Sequence, residues 1–356
     1  MKKIINILLF PLSLLYGSII FFRNRLYDWG ILKSKEFNFP VISVGNLAMG
    51  GVGKTPHVEY LVNLLKNDFI VATLSRGYNR TTSGFYLAAS NSTSIDLGDE
   101  PLQFKNKFND IIVAVDENRV HGITKLKEIH PKINIILLDD AYQHRAVSPG
   151  INILVTDFSN LYINDTIVPS GRLREWAFGS KRADIIIVSK TSNILSPIDK
   201  RRIKESLNAE EYQKIYFSYL TYGELTPFTE AAKNLTVSIG KNFSILMLTG
   251  IAKAGLLFYK LYHEFALVDH YKFADHHNYS EEDIVNIKER FNNLYGNNKI
   301  IITTEKDIMR LSLPKIKELL QDIPIFYIPI EICFHGNDKV EFDEQILKYV
   351  KANSRN

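Results

Sequence analysis

Short runs of β-branched and aliphatic residues recur along the first half of the chain, at Val41–Val44, Phe69–Leu74, Ile111–Val115, Ile135–Leu138, Ile151–Val155 and Ile185–Val188. They lack polar alternation, which marks strands buried on both faces and hence a parallel sheet. Stretches of helical period lie between them, as in Val58, Leu61, Val62, Leu64 and Leu65, so the pattern predicts repeated strand–helix units. A second, smaller set follows: Ile245–Leu248, a helix from about Lys253 to His263, Ala266–Phe273, a helix from Glu281, Ile300–Thr303 and Ile325–Ile328. Between the two sets a charged helix (Lys200–Asn208), a β-like run (Ile215–Leu220) and a polar stretch read as a connection. A last helical segment near Asp343–Lys351 is free to pack on either set.

Ahead of all this, Ile4 to Phe22 is uncharged. No small-residue cleavage site follows, which excludes a secretory signal. The run is barely long enough to span a bilayer, and Pro11 and Gly17 interrupt it. On a helical wheel Asn6, Ser13, Gly17 and Asn24 form one narrow polar stripe. The favoured reading is a helix lying in a membrane interface, its stripe towards protein or headgroups; a true span and a buried core helix are the alternatives. Four segments result: 1–28, a membrane-associated helix; 29–212, a nucleotide-binding core; 213–242, a linker; and 243–356, a smaller α/β domain whose last helix packs there or on the core.

Composition narrows the function. With 46% hydrophobic and 23% charged residues the chain is a folded protein, and 356 residues suffice for two domains. The lone Cys333 excludes a disulfide framework and a cysteine zinc site. The net charge of +4 is uneven: residues 1–35 carry a balance of +5 and the remainder −1. A nucleic-acid binder needs basic excess on its folded body, so no nucleic acid is expected. A basic, apolar start points to an anionic membrane surface.

The chemistry centres on Gly45-Asn46-Leu47-Ala48-Met49-Gly50-Gly51-Val52-Gly53-Lys54-Thr55-Pro56. Strand, glycine-rich loop, Lys-Thr and helix form a phosphate-binding loop (P-loop). Its glycines turn backbone N–H groups around an anion at a helix N-terminus. Ala48 stands where the strict pattern has Gly. The fold class follows: α/β, a P-loop parallel-sheet domain with a second, smaller α/β domain and an apolar N-terminal helix. Ligands in such sheets collect at the carboxyl ends of strands. There stand Ser75-Arg76-Gly77-Tyr78, Asp116-Glu117-Asn118-Arg119 and Asp139-Asp140-Ala141-Tyr142-Gln143-His144, with Gly98-Asp99-Glu100-Pro101 opening a helix. Ser189-Lys190-Thr191-Ser192 lacks the Asn and Asp of guanine-reading loops, which favours ATP. In Asp275-His276-His277 an acid–base histidine oriented by a carboxylate is preferred to a metal pair, since adjacent extended residues face opposite ways. Thr304-Glu305-Lys306-Asp307 sits at a strand end or simply caps the next helix.

Taken together and in order, these clusters resemble the tetraacyldisaccharide 4′-kinase family. The resemblance rests on the apolar N-terminal helix and on Gly45–Thr55, Ser75–Tyr78, Gly98–Pro101, Asp139–His144, Leu173–Glu175, Asp275–His277 and Thr304–Asp307. Ala141-Tyr142, Arg172, Trp176 and the proline-free Gly250–Ala254 depart from the family pattern. The resemblance implies transfer of the ATP γ-phosphoryl group to the 4′-hydroxyl of a lipid disaccharide 1-phosphate in lipid A biosynthesis. It implies work at the cytoplasmic face of the inner membrane, with no obligate protein partner. By motif, Asp99, His276 and Lys54 would be catalytic, with His277 the alternative histidine. Ala48, Met49, Gly50, Gly51, Val52, Gly53, Lys54, Thr55 and Pro56 would bind nucleotide. Thr55, Glu100, Asp139, Asp140 and Gln143 would organise Mg²⁺, while Asn46, Arg76, Tyr78, Arg119, His144, Arg174 and Glu175 would contact the lipid substrate.

Overall fold

The computed structural model describes residues 2–354 apart from 252, 253 and 266, with side chains from residue 8 onward. The expected helix start at Lys253, the expected strand start at Ala266, and part of the Gly250–Ala254 departure therefore lie outside the described residues.

The apolar runs form two sheets. The larger has nine strands in the order Ile330–Phe334, Lys214–Tyr222, Ile185–Ser189, Ile151–Asp157, Val41–Gly45, Ile135–Asp139, Val71–Ser75, Ile112–Val115 and Tyr86–Leu87. Its seven inner strands pair in parallel, and an antiparallel strand closes each edge. The Val41–Gly45 and Ile135–Asp139 strands are buried at every position, as expected for strands covered by helices on both faces. The smaller sheet runs Leu267–Lys272, Ser244–Thr249, Lys299–Thr304, Ile325–Ile328 and Thr226–Pro227.

The stretch 213–242, expected as a connection, is divided between the sheets: Lys214–Tyr222 extends the larger one and Thr226–Pro227 edges the smaller. The chain then returns. Ile330–Phe334 pairs with Lys214–Tyr222, and the helix Asp338–Asn353 brings Phe342, Ile346 and Val350 into the core of the larger sheet. Those three residues are spaced i, i+4, i+8, which places them on one helical face.

The helices Asp99–Lys107 and Glu305–Leu311 join the two halves. Leu97, Leu102 and Val115 share a buried cluster with Leu246, Ile301, Ile308 and Met309. Next to it Lys107 bridges two buried carboxylates, Glu59 at 2.7 Å and Glu305 at 3.0 Å. Burial, then the like charge of Glu305, pushes Glu59 up to about 7.

The first helix, Lys2–Asp28, runs unbroken through Pro11 and Gly17. Its polar stripe faces protein. Ser13 Oγ donates to Ser170 Oγ at 2.9 Å, Asn24 donates to Glu175 at 2.9 Å, and Trp176 Nε1 donates to the Gly17 carbonyl at 2.9 Å. Asn6 belongs to the undescribed side chains. The opposite face exposes Leu8, Phe10, Leu12, Leu14, Leu15, Ile19 and Phe22. Among the described residues no helix is long and apolar enough to cross a membrane.

Gly17 is small because the indole leans on it: an added Cβ would sit 2.7 Å from Trp176 Cζ2. Gly17→Leu should therefore push Trp176 outward and destabilise the protein by about 1–3 kcal/mol. Tryptophan emission in a Trp29→Phe background should shift to the red, and the melting temperature should fall. An unchanged spectrum would show that the helix does not dock this way.

Candidate active site

The phosphate loop leaves the centre of the larger sheet, where Val44 pairs with Asp139 on one side and Gly45 with Leu154 on the other. Gly53, at φ 97°, ends the loop in the left-handed region and caps the helix Lys54–Leu65, a conformation open to glycine without strain. The loop is braced from outside. Met49 N–H donates to the Arg172 carbonyl at 2.6 Å, and Arg174 N–H to the Leu47 carbonyl at 2.7 Å. It is braced from below by His57, fully buried on the loop helix. Nδ1 lies 2.7 Å from the Gly53 carbonyl and Nε2 lies 3.0 Å from Ser218 Oγ. The carbonyl only accepts, so Nδ1 carries the proton and Nε2 accepts from the serine. Burial holds His57 down at about 4, the Gly53 hydrogen bond opposing it.

Lys54 turns back across the loop. Its Nζ donates to Asn46 Oδ1 at 3.2 Å and lies 3.5 Å from Asp140. Asp139 and Asp140 occupy the end of the neighbouring strand and differ sharply. Asp140 takes the Arg174 fork at 3.0–3.2 Å. Burial opposes its ionisation, but Lys54 and Arg174 hold it below the ordinary carboxylate range. Asp139 is buried, with no hydrogen-bond partner for Oδ1 among the described residues. Burial, then the charge of Asp140, pushes it up to about 7; Glu100 adds to this, while Lys54 and Arg119 oppose it.

The third group comes from two helices packed side by side, Asp99–Lys107 and Glu305–Leu311. Gly98, at φ 88°, precedes the helix that opens with Asp99 and Glu100, and an added Cβ would meet the Tyr78 carbonyl at 2.7 Å. The Ser75–Tyr78 and Gly98–Pro101 segments thus fit only with glycine at that contact. From the other sheet, Lys306 Nζ reaches Glu100 at 3.1 Å, and the buried Arg310 donates through Nε to Asp99 Oδ2 at 3.0 Å. His276, at φ 59°, sets its Nδ1 3.4 Å from Asp99 Oδ2. Burial works against ionised Asp99, but His276, Arg310 and Lys306 together hold it below the usual range. His277 turns elsewhere, to Asp283 at 3.0 Å.

A cavity of about 360 Å³, lined by Glu117, Asn118, Arg119, His144 and Ala146, opens on the side of Asp139 and Asp140, whose charges reach Arg119. Arg119 is buried, and its Nε and Nη2 have no hydrogen-bond partner among the described residues. Burial lowers it to about 10, with the neighbouring carboxylates opposing. Burial, then Arg119 and Arg76, lowers His144 to about 4. Such a pocket favours an anion. A larger cavity of about 610 Å³, lined by Leu225, Leu261 and Phe326 among others, lies in the smaller sheet and holds none of the predicted site residues.

The family model for tetraacyldisaccharide-1-P 4′-kinase matches residues 5–351. The chain belongs to that family. It is 46% identical over 358 residues to the tetraacyldisaccharide 4′-kinase of Bacteroides thetaiotaomicron, covering 98% of this chain and 94% of the relative. It is likewise 46% identical over 352 residues to that of Flavobacterium psychrophilum, with 98% of each covered. Among solved structures it resembles LpxK from Aquifex aeolicus, described as an "apo" form in complex with ATP, at a TM-score of 0.73 and 26% identity, over 97% of this chain and 99% of that one. The protein is thus an ATP-dependent kinase acting at the 4′ position of a lipid disaccharide in lipid A biosynthesis.

In this 4′-kinase the structure gathers Lys54, Asp140 and Arg174 by ion pairs, and Asp99, Glu100 and His276 through Lys306 and Arg310. Met49, Gly50 and Gly51 are open to solvent along the loop, Lys54, Thr55 and Pro56 partly so, and Ala48 and Val52 are buried beneath it. Arg76 and Tyr78 stand exposed at a strand end. Three residues expected at the lipid or the metal are turned inward instead. Glu175 is buried, its oxygens taken by Arg182 at 2.8 and 2.9 Å, Asn24 and Gln143. It ties the N-terminal helix to the body. Asn46 is buried and occupied by Lys54 and the Ala48 carbonyl. The Gln143 amide donates to the Asn46 carbonyl at 2.8 Å. Arg310 lies outside every motif in the sequence; its i, i+4 spacing from Lys306 on one helix was the available signal.

His57 gives this kinase an acid-sensitive support. Its folded pKa lies below the unfolded 6.5, at about 4. The stability it contributes is present above pH 6.5 and is lost as pH falls towards 4, on the order of 3 kcal/mol. His144 titrates in the same window, so the comparison is with His57→Gln. That variant should melt lower at neutral pH and show a shallower acid slope between pH 6.5 and 4. Parallel slopes would remove His57 from this role.

Proposed function

We propose that the γ-phosphoryl group of ATP, seated in the loop Ala48–Pro56, passes to the 4′-hydroxyl of a tetraacyl disaccharide 1-phosphate, with Asp99 accepting the hydroxyl proton. The observation that carries this reading is the meeting of Asp99 and His276 from opposite sheets, next to Glu100, whose charge reaches Asp139. Phosphoryl transfer asks mainly for positioning and charge stabilisation. Lys54, at the loop helix N-terminus, meets charge on the outer phosphates. Asp99, kept ionised by its cationic neighbours, is a base at neutral pH, and a sugar hydroxyl needs one. Arg119, with two unpartnered N–H groups, and His144 meet the acceptor's phosphate or sugar, with Arg76 and Tyr78 at the rim.

Among the described residues no three His, Cys, Asp or Glu side chains form a ready metal site. Mg²⁺ is commonly held by carboxylates together with substrate phosphates, so bound nucleotide would complete such a site. The partnerless Asp139 Oδ1, pushed towards neutrality by burial and two like charges, fits a cation. Thr55, Asp139, Asp140 and Glu100 would hold it, with Gln143 contributing at most its Oε1. Bound there, Mg²⁺ would neutralise charge on the β- and γ-phosphates.

The N-terminal helix gives this kinase its substrate's surroundings. Its inner stripe docks on protein, while its outer face, Leu12, Leu15 and Ile19 among others, stays apolar and exposed. Such a helix lies in a bilayer interface, here the cytoplasmic face of the inner membrane. Asp99 comes from the larger sheet's side and His276 from the smaller sheet's, so movement of one sheet against the other would gate the transfer.

A thin-layer assay with labelled ATP and a lipid disaccharide 1-phosphate tests the chemistry. Wild type should label the lipid, and Lys54→Ala should abolish labelling while remaining folded. Asp99→Asn should lower kcat by about 10²–10⁴-fold with little change in ATP affinity. A loss confined to ATP binding would reassign Asp99. Leu15→Glu combined with Ile19→Glu leaves the docked stripe intact and should release the protein from anionic vesicles. Undiminished sedimentation would locate the anchor elsewhere.

A further inference from the structure

Arg310 stands between Asp99, proposed above as the base, and His276, and its geometry is specific. It is buried, on the helix Glu305–Leu311, and reaches across to the helix Asp99–Lys107. Both Nε and Nη2 donate to Asp99 Oδ2, Nε at 3.0 Å. Nη2 also lies 2.8 Å from His276 Nδ1, and Nη1 3.5 Å from the His277 carbonyl. Asp99 Oδ2 and His276 Nδ1 themselves lie 3.4 Å apart, and Lys306 Nζ stands 3.5 Å from His276 Nε2. One guanidinium thus meets both groups. Nothing occupies Asp99 Oδ1 among the described residues.

We propose that Arg310 is a positioning residue for the transfer: it grips Asp99 by Oδ2 so that Oδ1 faces the acceptor hydroxyl, and it fixes His276 through Nδ1. In the step itself the hydroxyl proton passes to Asp99 Oδ1 while its oxygen bonds the γ-phosphorus. The bond from that phosphorus to the bridging oxygen breaks, and ADP leaves with the electron pair. The left-handed backbone of His276, φ 59°, is consistent with a ring held by its surroundings and not by local preference. The proposal rests on Asp99 being the base. It adds that the base depends on a cation from the other sheet.

The charged and titratable groups facing Asp99 are Glu100 on its own helix, Lys306 and Arg310 on the opposing helix, and His276 in the loop. In Arg310→Gln kcat at neutral pH should fall about tenfold or more, with KM for ATP within about twofold. Arg310→Lys keeps the charge and loses the fork, so its kcat should drop as well.

Asp99→Asn, run in the same lipid-labelling assay, separates the two ideas. If Asp99→Asn stays active, the base assignment fails. If it is inactive while folded Arg310→Gln keeps wild-type kcat, only the Arg310 proposal fails. In an Asp99→Asn background, Arg310→Gln should cost nothing further. Should Arg310→Gln not fold, Arg310→Lys decides: wild-type kcat in that variant overturns the positioning role.

Discussion

A carboxylate buried without a partner sets the terms for this molecule. Asp139 sits at the end of a fully buried strand, paired with the strand that carries the phosphate loop. Burial alone drives it towards its neutral form. Three more carboxylates, Asp140, Glu100 and Asp99, crowd the same end of the sheet. A cluster of this kind is tolerated only if cations are supplied. Here each comes from a different element: Lys54 from the loop helix, Arg174 from the segment bracing the loop, Lys306 and Arg310 from the second sheet. The architecture around the site is largely the means of delivering those charges. The carboxylate left without a cation in contact is the one a metal ion with phosphates would complete.

The same requirement explains why the two sheets belong together. Asp99 and Glu100 open a helix that packs its apolar side, through Leu102, into a cluster shared with the smaller sheet. Burial of that side fixes the approach of the facing helix, and the approach brings Lys306 and Arg310 over the carboxylates. At the far end of the helix pair, Lys107 repeats the pattern between Glu59 and Glu305. Hydrophobic contact supplies the attraction, and the ion pairs select the register, since a sliding helix would leave buried charges unmatched.

Much of this was legible in the sequence because the decisive signals are local. Undivided runs of Ile, Val and Leu gave the parallel strands within a residue or two, and Gly50, Gly53 and Lys54 identified the loop without tertiary information. The narrow stripe of Ser13, Gly17 and Asn24 marked the face that docks. What failed to show was non-local. Gly17 looked like an interruption because nothing nearby in sequence announces that Trp176 leans on it. Glu175 looked like a substrate ligand because Leu-Arg-Glu is a motif, whereas its carboxylate is consumed by Arg182 and Asn24. The run Ile215–Leu220 gave no hint that its partner would be Ile330–Phe334, more than a hundred residues away. Motifs report which residues matter, and only packing reports which way they face.

That distinction bears on the histidine pair. Sequence favoured His276 over His277 only through the family resemblance, since adjacent residues differ chiefly in the side of the chain they occupy. The fold separates them by giving each a partner of a different kind. His277 meets Asp283, which also closes the cap of its own helix through Ser280, so its hydrogen bond serves local structure. His276 has no such local acceptor. Its ring nitrogens meet only groups carried from elsewhere, Arg310 and Lys306 on one element and Asp99 on another. A side chain bound by its own helix reports on that helix; one whose partners come from two sheets reports on whether those sheets have met. Of the two histidines, only His276 is placed to make proton transfer conditional on the shape of the whole site.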